Sequence, residues 1–186
     1  MRFDEIDNTD EIKSLLKLNF RIKGKISIVN GRVDVDGDCV LTSKCNTLPV
    51  KFNKVSGGFR CNNNQLTSLQ GAPTSVGGSF YCAGNKLTTL EGAPQSVSGD
   101  FYCAGNKLTT LEGVPQSVSG DFYCEYDSSL PLLRLLFIKN LKLIRINNAP
   151  KDVVNYLNKY IGKGPGGALA CAAELARAGF KGNARR

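Results

Sequence analysis

Histidine is absent from all 186 residues. That removes Ser-His and Cys-His nucleophile pairs, and every metal site that needs an imidazole ligand. No stretch approaches the roughly 20 apolar residues that cross a bilayer. The longest candidate, Leu130 to Ile138, is short and interrupted by Pro131 and Arg134. Seven cysteines are present, but no two form a C-x-x-C pair. The segment Gly162-Lys163-Gly164-Pro165-Gly166-Gly167 lacks the G-x-x-x-x-G-K-[ST] order of a phosphate loop. No carboxylate pair, metal-ligand cluster or nucleophile-base arrangement stands out. The expectation is a protein that is not an enzyme and carries no cofactor or metal. The acidic start, Met1-Arg2-Phe3-Asp4-Glu5, has no apolar signal stretch, so a cytoplasmic location with reduced thiols is expected.

The net charge of +8 is unevenly spread. Residues 1–56 hold ten Lys/Arg against eight Asp/Glu, residues 57–126 three against five, and residues 127–186 eleven against three. The middle is mildly acidic and the C-terminal third strongly basic.

A 21-residue repeat organises the middle. Residues 78–98 read GSFYCAGNKLTTLEGAPQSVS, residues 99–119 read GDFYCAGNKLTTLEGVPQSVS, and residues 57–77 are a more divergent copy. A fourth copy starts at Gly120-Asp121-Phe122-Tyr123-Cys124 and then departs. Leu48 and Val55 mark a degenerate copy over 37–56 with one residue deleted. Each unit reduces to F-x-C-x-x-N-x-L-x-x-L, then Pro, then Val. On a strand, Phe101 and Cys103 share one face and Tyr102 takes the other. Asn106 falls where the chain must turn, and its amide can satisfy backbone groups left open there. Leu108, Leu111 and Val118 fill the interior on the way back. A strand and a return in 21 residues leave no room for a full helix, so the return run is expected to be extended or 3₁₀.

This pattern resembles the leucine-rich repeat, with Phe and Cys in two Leu positions. The lead-in Val33-Asp34-Val35-Asp36-Gly37-Asp38, the G-x-F-x-C units with L-T-x-L-x-G-A-P, and the tail Glu174 to Arg185 are similar to small leucine-rich-repeat proteins of tailed bacteriophages. The resemblance implies an α/β repeat solenoid, a horseshoe with parallel strands on its concave face. It also implies a viral protein in the bacterial cytosol, and no activity.

Solenoid ends need caps. Residues 1–36 are expected to supply an N-terminal cap. Asp10 would N-cap a helix through Leu18, and Lys25–Val29 would pair with Arg32–Val35 around Asn30-Gly31. Residues 37–126 are the repeats. Residues 127–186 are read as a C-terminal strand and a two-helix basic cap. Its strand is Lys142–Ile146, one helix starts near Pro150 and ends at Gly162, Gly164–Gly167 is a linker, and a second helix runs from Ala168 to Ala178.

The recurring Cys61, Cys82, Cys103 and Cys124 read as a column of small buried side chains, with a metal or redox ladder as the sharper alternative. Asn64, Asn85 and Asn106 read as a turn ladder. Parity puts Arg60, Tyr81, Tyr102 and Tyr123 in one solvent-facing column. Ser79, Asp100 and Asp121 flank it on one side, Asn62, Ala83, Ala104 and Glu125 on the other. Exposed tyrosines offer large contact area at low entropy cost, so this surface is the candidate protein-binding site. Recent duplication alone would also repeat the tyrosines. Lys142, Arg145, Lys159, Lys163, Arg177 and Lys181 form a candidate basic patch: a solvated face, or a site for an acidic protein or nucleic acid. The function expected is a phage protein that binds and modulates a bacterial host protein, as a defence or host-takeover target. The alternative is a nucleic-acid binder using the basic third. No membrane association is expected.

Overall fold

The computed structural model describes residues 9–185. Their core is a parallel-strand β-solenoid of about six turns, with helices at the C-terminus. The front ladder runs through the C-terminal half of β2 (Arg32–Leu41), then β4 (Phe59–Arg60), β6 (Phe80–Tyr81), β8 (Phe101–Tyr102), β10 (Phe122–Glu125) and β11 (Ile144–Asn147), all parallel. Phe59, Phe80, Phe101 and Phe122 lie in register. The two-residue F-Y strands are thus the expected parallel rungs, one per repeat.

The return run makes a second parallel ladder. It consists of β3 (Lys51–Val55), β5 (Ser75–Val76), β7 (Ser96–Val97) and β9 (Ser117–Val118), and a single bridge joins Ser117 to Lys139. Strand β2 belongs to both ladders. Its start pairs with β3 and its end with β4, so it turns a corner between them. The corner lies at Gly37, which pairs with Gly24 of β1 (Phe20–Val29). Both glycines have φ near +140°, and a Cβ on either would sit within 2 Å of a carbonyl oxygen of the other strand. Only glycine fits both the dihedral and the approach. The hairpin around Asn30-Gly31 is longer than the sequence indicated, pairing Phe20 with Leu41 at its far end.

Six phenylalanines run through the interior. Phe20, Phe52, Phe59, Phe80, Phe101 and Phe122 follow one another at centroid distances of 5.1–5.7 Å, the last four as parallel stacks. Leu66, Leu69, Leu87, Leu90, Leu111, Val97 and Val118 are fully buried beside them. At the turn, Asn85 accepts the Leu66 N–H and donates to the carbonyls of Cys61 and Cys82. Asn106 repeats this one coil on, with Leu87, Cys82 and Cys103. Each amide therefore ties two coils together, as the turn-ladder reading requires. Asn64 heads the series without the cross-coil bond, and its Oδ1 is buried without a partner.

Several local expectations change. Helix α1 (Thr9–Asn19) already contains Asp10 in its first turn, so Asp10 does not precede the helix. The C-terminal strand is Ile144–Asn147 rather than Lys142–Ile146. A 3₁₀ helix, Leu132–Phe137, buries four leucines where the repeat ends. Helix α2 (Lys151–Tyr160) follows Pro150, whose fixed φ suits a helix start. Gly164–Gly167 is no linker: it opens α3 (Gly164–Arg177), with Pro165 in the first turn. Gly167 is buried where a Cβ would meet the Lys163 side chain at 2.4 Å, so close packing favours glycine there over flexibility. The outer edge of β11 is closed by α2. Asn158 accepts the Ile144 N–H and donates to the Ile144 carbonyl, standing in for a further strand. Asn183 secures the tail by bonding the Asp127 and Leu130 carbonyls and accepting from Tyr126.

Candidate binding face

On each front strand the residue between the inward Phe and Cys points outward. Tyr81, Tyr102 and Tyr123 stack face to face, at 4.6 and 4.3 Å between centroids and within 16° of parallel. The spacing follows from the ladder, because neighbouring rungs lie about 4.8 Å apart. The Arg60 guanidinium lies 4.1 Å from the Tyr81 ring centre, and that of Arg145 lies 5.7 Å from the Tyr123 ring centre. The stack is thus closed by a cation at each end, at contact distances for cation-π attraction.

Ser79, Asp100 and Asp121 form the adjoining row. Ser79 Oγ accepts the Asp100 N–H, and Asp100 Oδ1 accepts the Asp121 N–H, so these side chains also hold the coils together. Tyr102 donates its hydroxyl to Asp100 Oδ2 at 3.0 Å, and Tyr123 to Asp121 Oδ2 at 3.4 Å. Burial first, and then the bond to Asp100, push the Tyr102 phenol well above its ordinary pKa. Asp121 Oδ2 also takes Arg145 Nε at 2.6 Å, which raises the Arg145 pKa.

Sequence parity had placed Arg60 and the three tyrosines together, and they are together. It had placed Arg145 in a separate basic patch. In the structure Arg145 sits opposite Tyr123 on β11 and completes the tyrosine face. On the other flank, Asn62, Ala83, Ala104 and Glu125 are half-buried, and Glu125 accepts a bond from Asn148. Nothing in the 21-residue pattern announced Arg145, because β11 follows at a spacing of 22 after the repeat has broken down.

The remaining basic candidates, Lys142, Lys159, Lys163, Arg177 and Lys181, are all exposed. Lys159 pairs with Glu174 at 2.7 Å, which raises the lysine pKa and lowers that of the carboxylate. The ammonium groups of Lys159 and Lys163 each lie 5.1 Å from the centre of the Tyr160 ring.

The inward column is chemically quiet. Cys39, Cys61, Cys82, Cys103 and Cys124 are buried and unbonded to one another. Burial pushes all their thiols up, those of Cys39 and Cys124 to about 12. Cys171 rises to about 11 by burial in α3. Cavities are small. One of about 280 Å³ lies beside Asn106, Leu108, Glu125 and Tyr126, where the fourth copy departs from the repeat, and a larger, more open one of about 440 Å³ lies beside Lys25, Ser27, Asp34 and Lys54. Among the described residues, no group of three or more Cys, Asp or Glu is placed to hold a metal ion, and no helix is long and apolar enough to cross a membrane. Set against family models, curated proteins and solved structures, the chain matches none.

Proposed function

We propose that this chain is a non-enzymatic protein-binding module of the leucine-rich-repeat type, with the tyrosine ladder on the concave face of its horseshoe. The observation that carries the reading is the solvent-facing stack Arg60–Tyr81–Tyr102–Tyr123–Arg145. Tyrosine and arginine are the residues on which interface energy concentrates. Stacking and hydroxyl bonds hold the rings in place before any partner arrives, which lowers the entropy cost of binding. The likeness of lead-in, repeat and tail to phage proteins supports a bacterial host protein as partner, with binding that modulates a defence or host-takeover target.

The test is capture from bacterial lysate followed by affinity measurement on the purified partner. Tyr102→Ala should weaken binding by about 2 kcal/mol, the scale of an interface hot spot. Retention of full affinity by Tyr102→Ala overturns the reading.

The alternative, nucleic-acid binding by the basic third, draws on Lys159 and Lys163 flanking Tyr160. Its test uses Lys142, Lys163 and Lys181 changed together to Ala. Arg145 is left intact, because it belongs to the tyrosine face. Loss of binding in that triple variant, with a steep salt dependence, would favour the alternative.

A further inference from the structure

We infer that the tyrosine face receives a cationic segment of its partner, a Lys- or Arg-bearing stretch anchored on Asp100. This rests on the reading of that face as the protein-binding surface. The chain carries its own template for the contact. Asp121 and Asp100 occupy the same position on successive coils. Asp100 Oδ1 accepts the Asp121 N–H. Asp121 Oδ2 accepts the Tyr123 hydroxyl at 3.4 Å and, in addition, Arg145 Nε at 2.6 Å, the guanidinium lying beside Tyr123. On Asp100 the second oxygen receives only the Tyr102 hydroxyl.

The residue that stands to Asp100 as Arg145 stands to Asp121 is Tyr123, because Tyr123 pairs with Tyr102 on the next rung as Arg145 pairs with Tyr123. The repeat therefore supplies an uncharged neighbour at every rung except the last. Among the described residues, Asp100 has no ion-pair partner. Residues 57–126 hold only three basic side chains against five acidic ones, and Arg60 is drawn to the far end over Tyr81. The unneutralised charge at mid-face is negative, which attracts a basic segment and repels an acidic protein or a nucleic acid.

The ring geometry narrows the mode further. Both faces of Tyr102 are covered by its neighbours. An incoming cation cannot lie on that ring and must reach the carboxylate, its aliphatic stem along the ring edges. Lysine serves that contact as well as arginine does. Ala83 and Ala104, the small side chains two residues beyond Tyr81 and Tyr102, leave room for the segment's backbone alongside.

The test uses defined probes, a ten-residue alternating Lys-Ala peptide and its Glu-Ala counterpart, titrated into the full chain at low and moderate salt. Wild type should bind the Lys-Ala peptide, more weakly as salt rises, and should ignore Glu-Ala. Asp100→Asn keeps the acceptor for the Asp121 N–H, and should weaken binding about fivefold, the upper range for an exposed ion pair. Ser79→Asp adds a third carboxylate to the row in the role Asp100 already fills, and should strengthen binding by a similar factor. Asp152→Asn on α2 should change nothing. Unchanged affinity in both Asp100→Asn and Ser79→Asp, or equal binding of Glu-Ala, overturns the inference. The natural partner separates it from the reading beneath it. If Tyr102→Ala releases the partner while Asp100→Asn does not, the tyrosine face binds but not through a cation on Asp100. If Tyr102→Ala retains the partner, the underlying reading falls as well.

Discussion

Two columns rise from the same front strands and repeat with the same period, but they differ in every property that matters for function. The inward cysteines are dry, and burial raises their thiols far from reactivity. The outward tyrosines are half-exposed, stacked and flanked by carboxylates. Duplication copies both columns equally, so recurrence alone does not separate packing from recognition. Exposure and partner chemistry do. The back ladder makes the same point: its recurring Ser75, Ser96 and Ser117 face outward with no aromatic or charged companion repeated beside them.

The sharpest way to set the columns apart is alkaline pH. Cys39, Cys61, Cys82, Cys103 and Cys124 keep their protons in the native state at pH values where unfolded thiols, with pKa near 9.0, release them. The native state then binds more protons than the unfolded one. Stability is therefore fully present below about pH 8, falls as pH passes 9, and goes on falling toward the raised native values, about 12 for Cys39 and Cys124. At pH 10 a thiol held near 12, such as that of Cys39 or Cys124, should cost about 1.4 kcal/mol. Denaturant unfolding at pH 7 and 10 measures this. Cys103→Ala should recover one thiol's share, and an unaltered fall in that variant would remove the thiols as its cause.

A smaller effect discriminates within the inward column. Cys103 Sγ lies 3.2 Å from the Tyr123 carbonyl oxygen, whereas the Cys61 thiol has no such partner among the described residues. Cys61→Ser should cost about 2 kcal/mol, because it buries an unbonded hydroxyl. Cys103→Ser should cost about 1 kcal/mol less, since its hydroxyl inherits the carbonyl. Urea midpoints decide it, and equal costs would break the distinction.

Native thiol labelling sharpens the contrast without mutation. Cys45 is only half-buried, and the other six thiols are buried. One thiol should react quickly at pH 8 and six slowly. Fast reaction of several would show the column to be accessible.

Much of this arrangement was legible because it is periodic. Alternation along Phe101, Tyr102 and Cys103 gave inside and outside, and Asn85 and Asn106 at fixed offsets gave the turn ladder. What escaped was either too short or too remote. A two-residue strand such as Ser96–Val97 has no alternation to display, so the second ladder could not be read as one. The bonds from Ser79 and Asp100 to the next coil join residues 21 apart, and a row assigned wholly to recognition proved to hold the coils together as well. Gly164–Gly167 reads as a breaker by propensity, but it forms the first turn of α3, where Pro165 suits a helix start. Arg145 lay beyond the last intact copy, where the pattern no longer said which way a side chain points.

The least expected change probes the outward column most closely. Tyr102→Phe retains the ring, and with it both stacking contacts and the strand pairing. It removes only the hydroxyl bond to Asp100. Tyr102 as a whole is half-buried, so the loss should be about 0.5–1 kcal/mol, the net value of an ordinary hydrogen bond. Ser96→Ala on the back ladder is the matching control, expected to fall within about 0.5 kcal/mol of wild type, as surface changes do. The alkaline side adds a second readout. Because the Tyr102 phenol titrates above its ordinary range, the ultraviolet titration of the native protein near pH 10 should be nearly the same in Tyr102→Phe and wild type. Removing an ordinary tyrosine would lower that signal. A loss of more than about 2 kcal/mol in Tyr102→Phe would put its hydroxyl among the buried, structural bonds. The outward column would then be as structural as the cysteines within, and its tyrosines would no longer point to a partner.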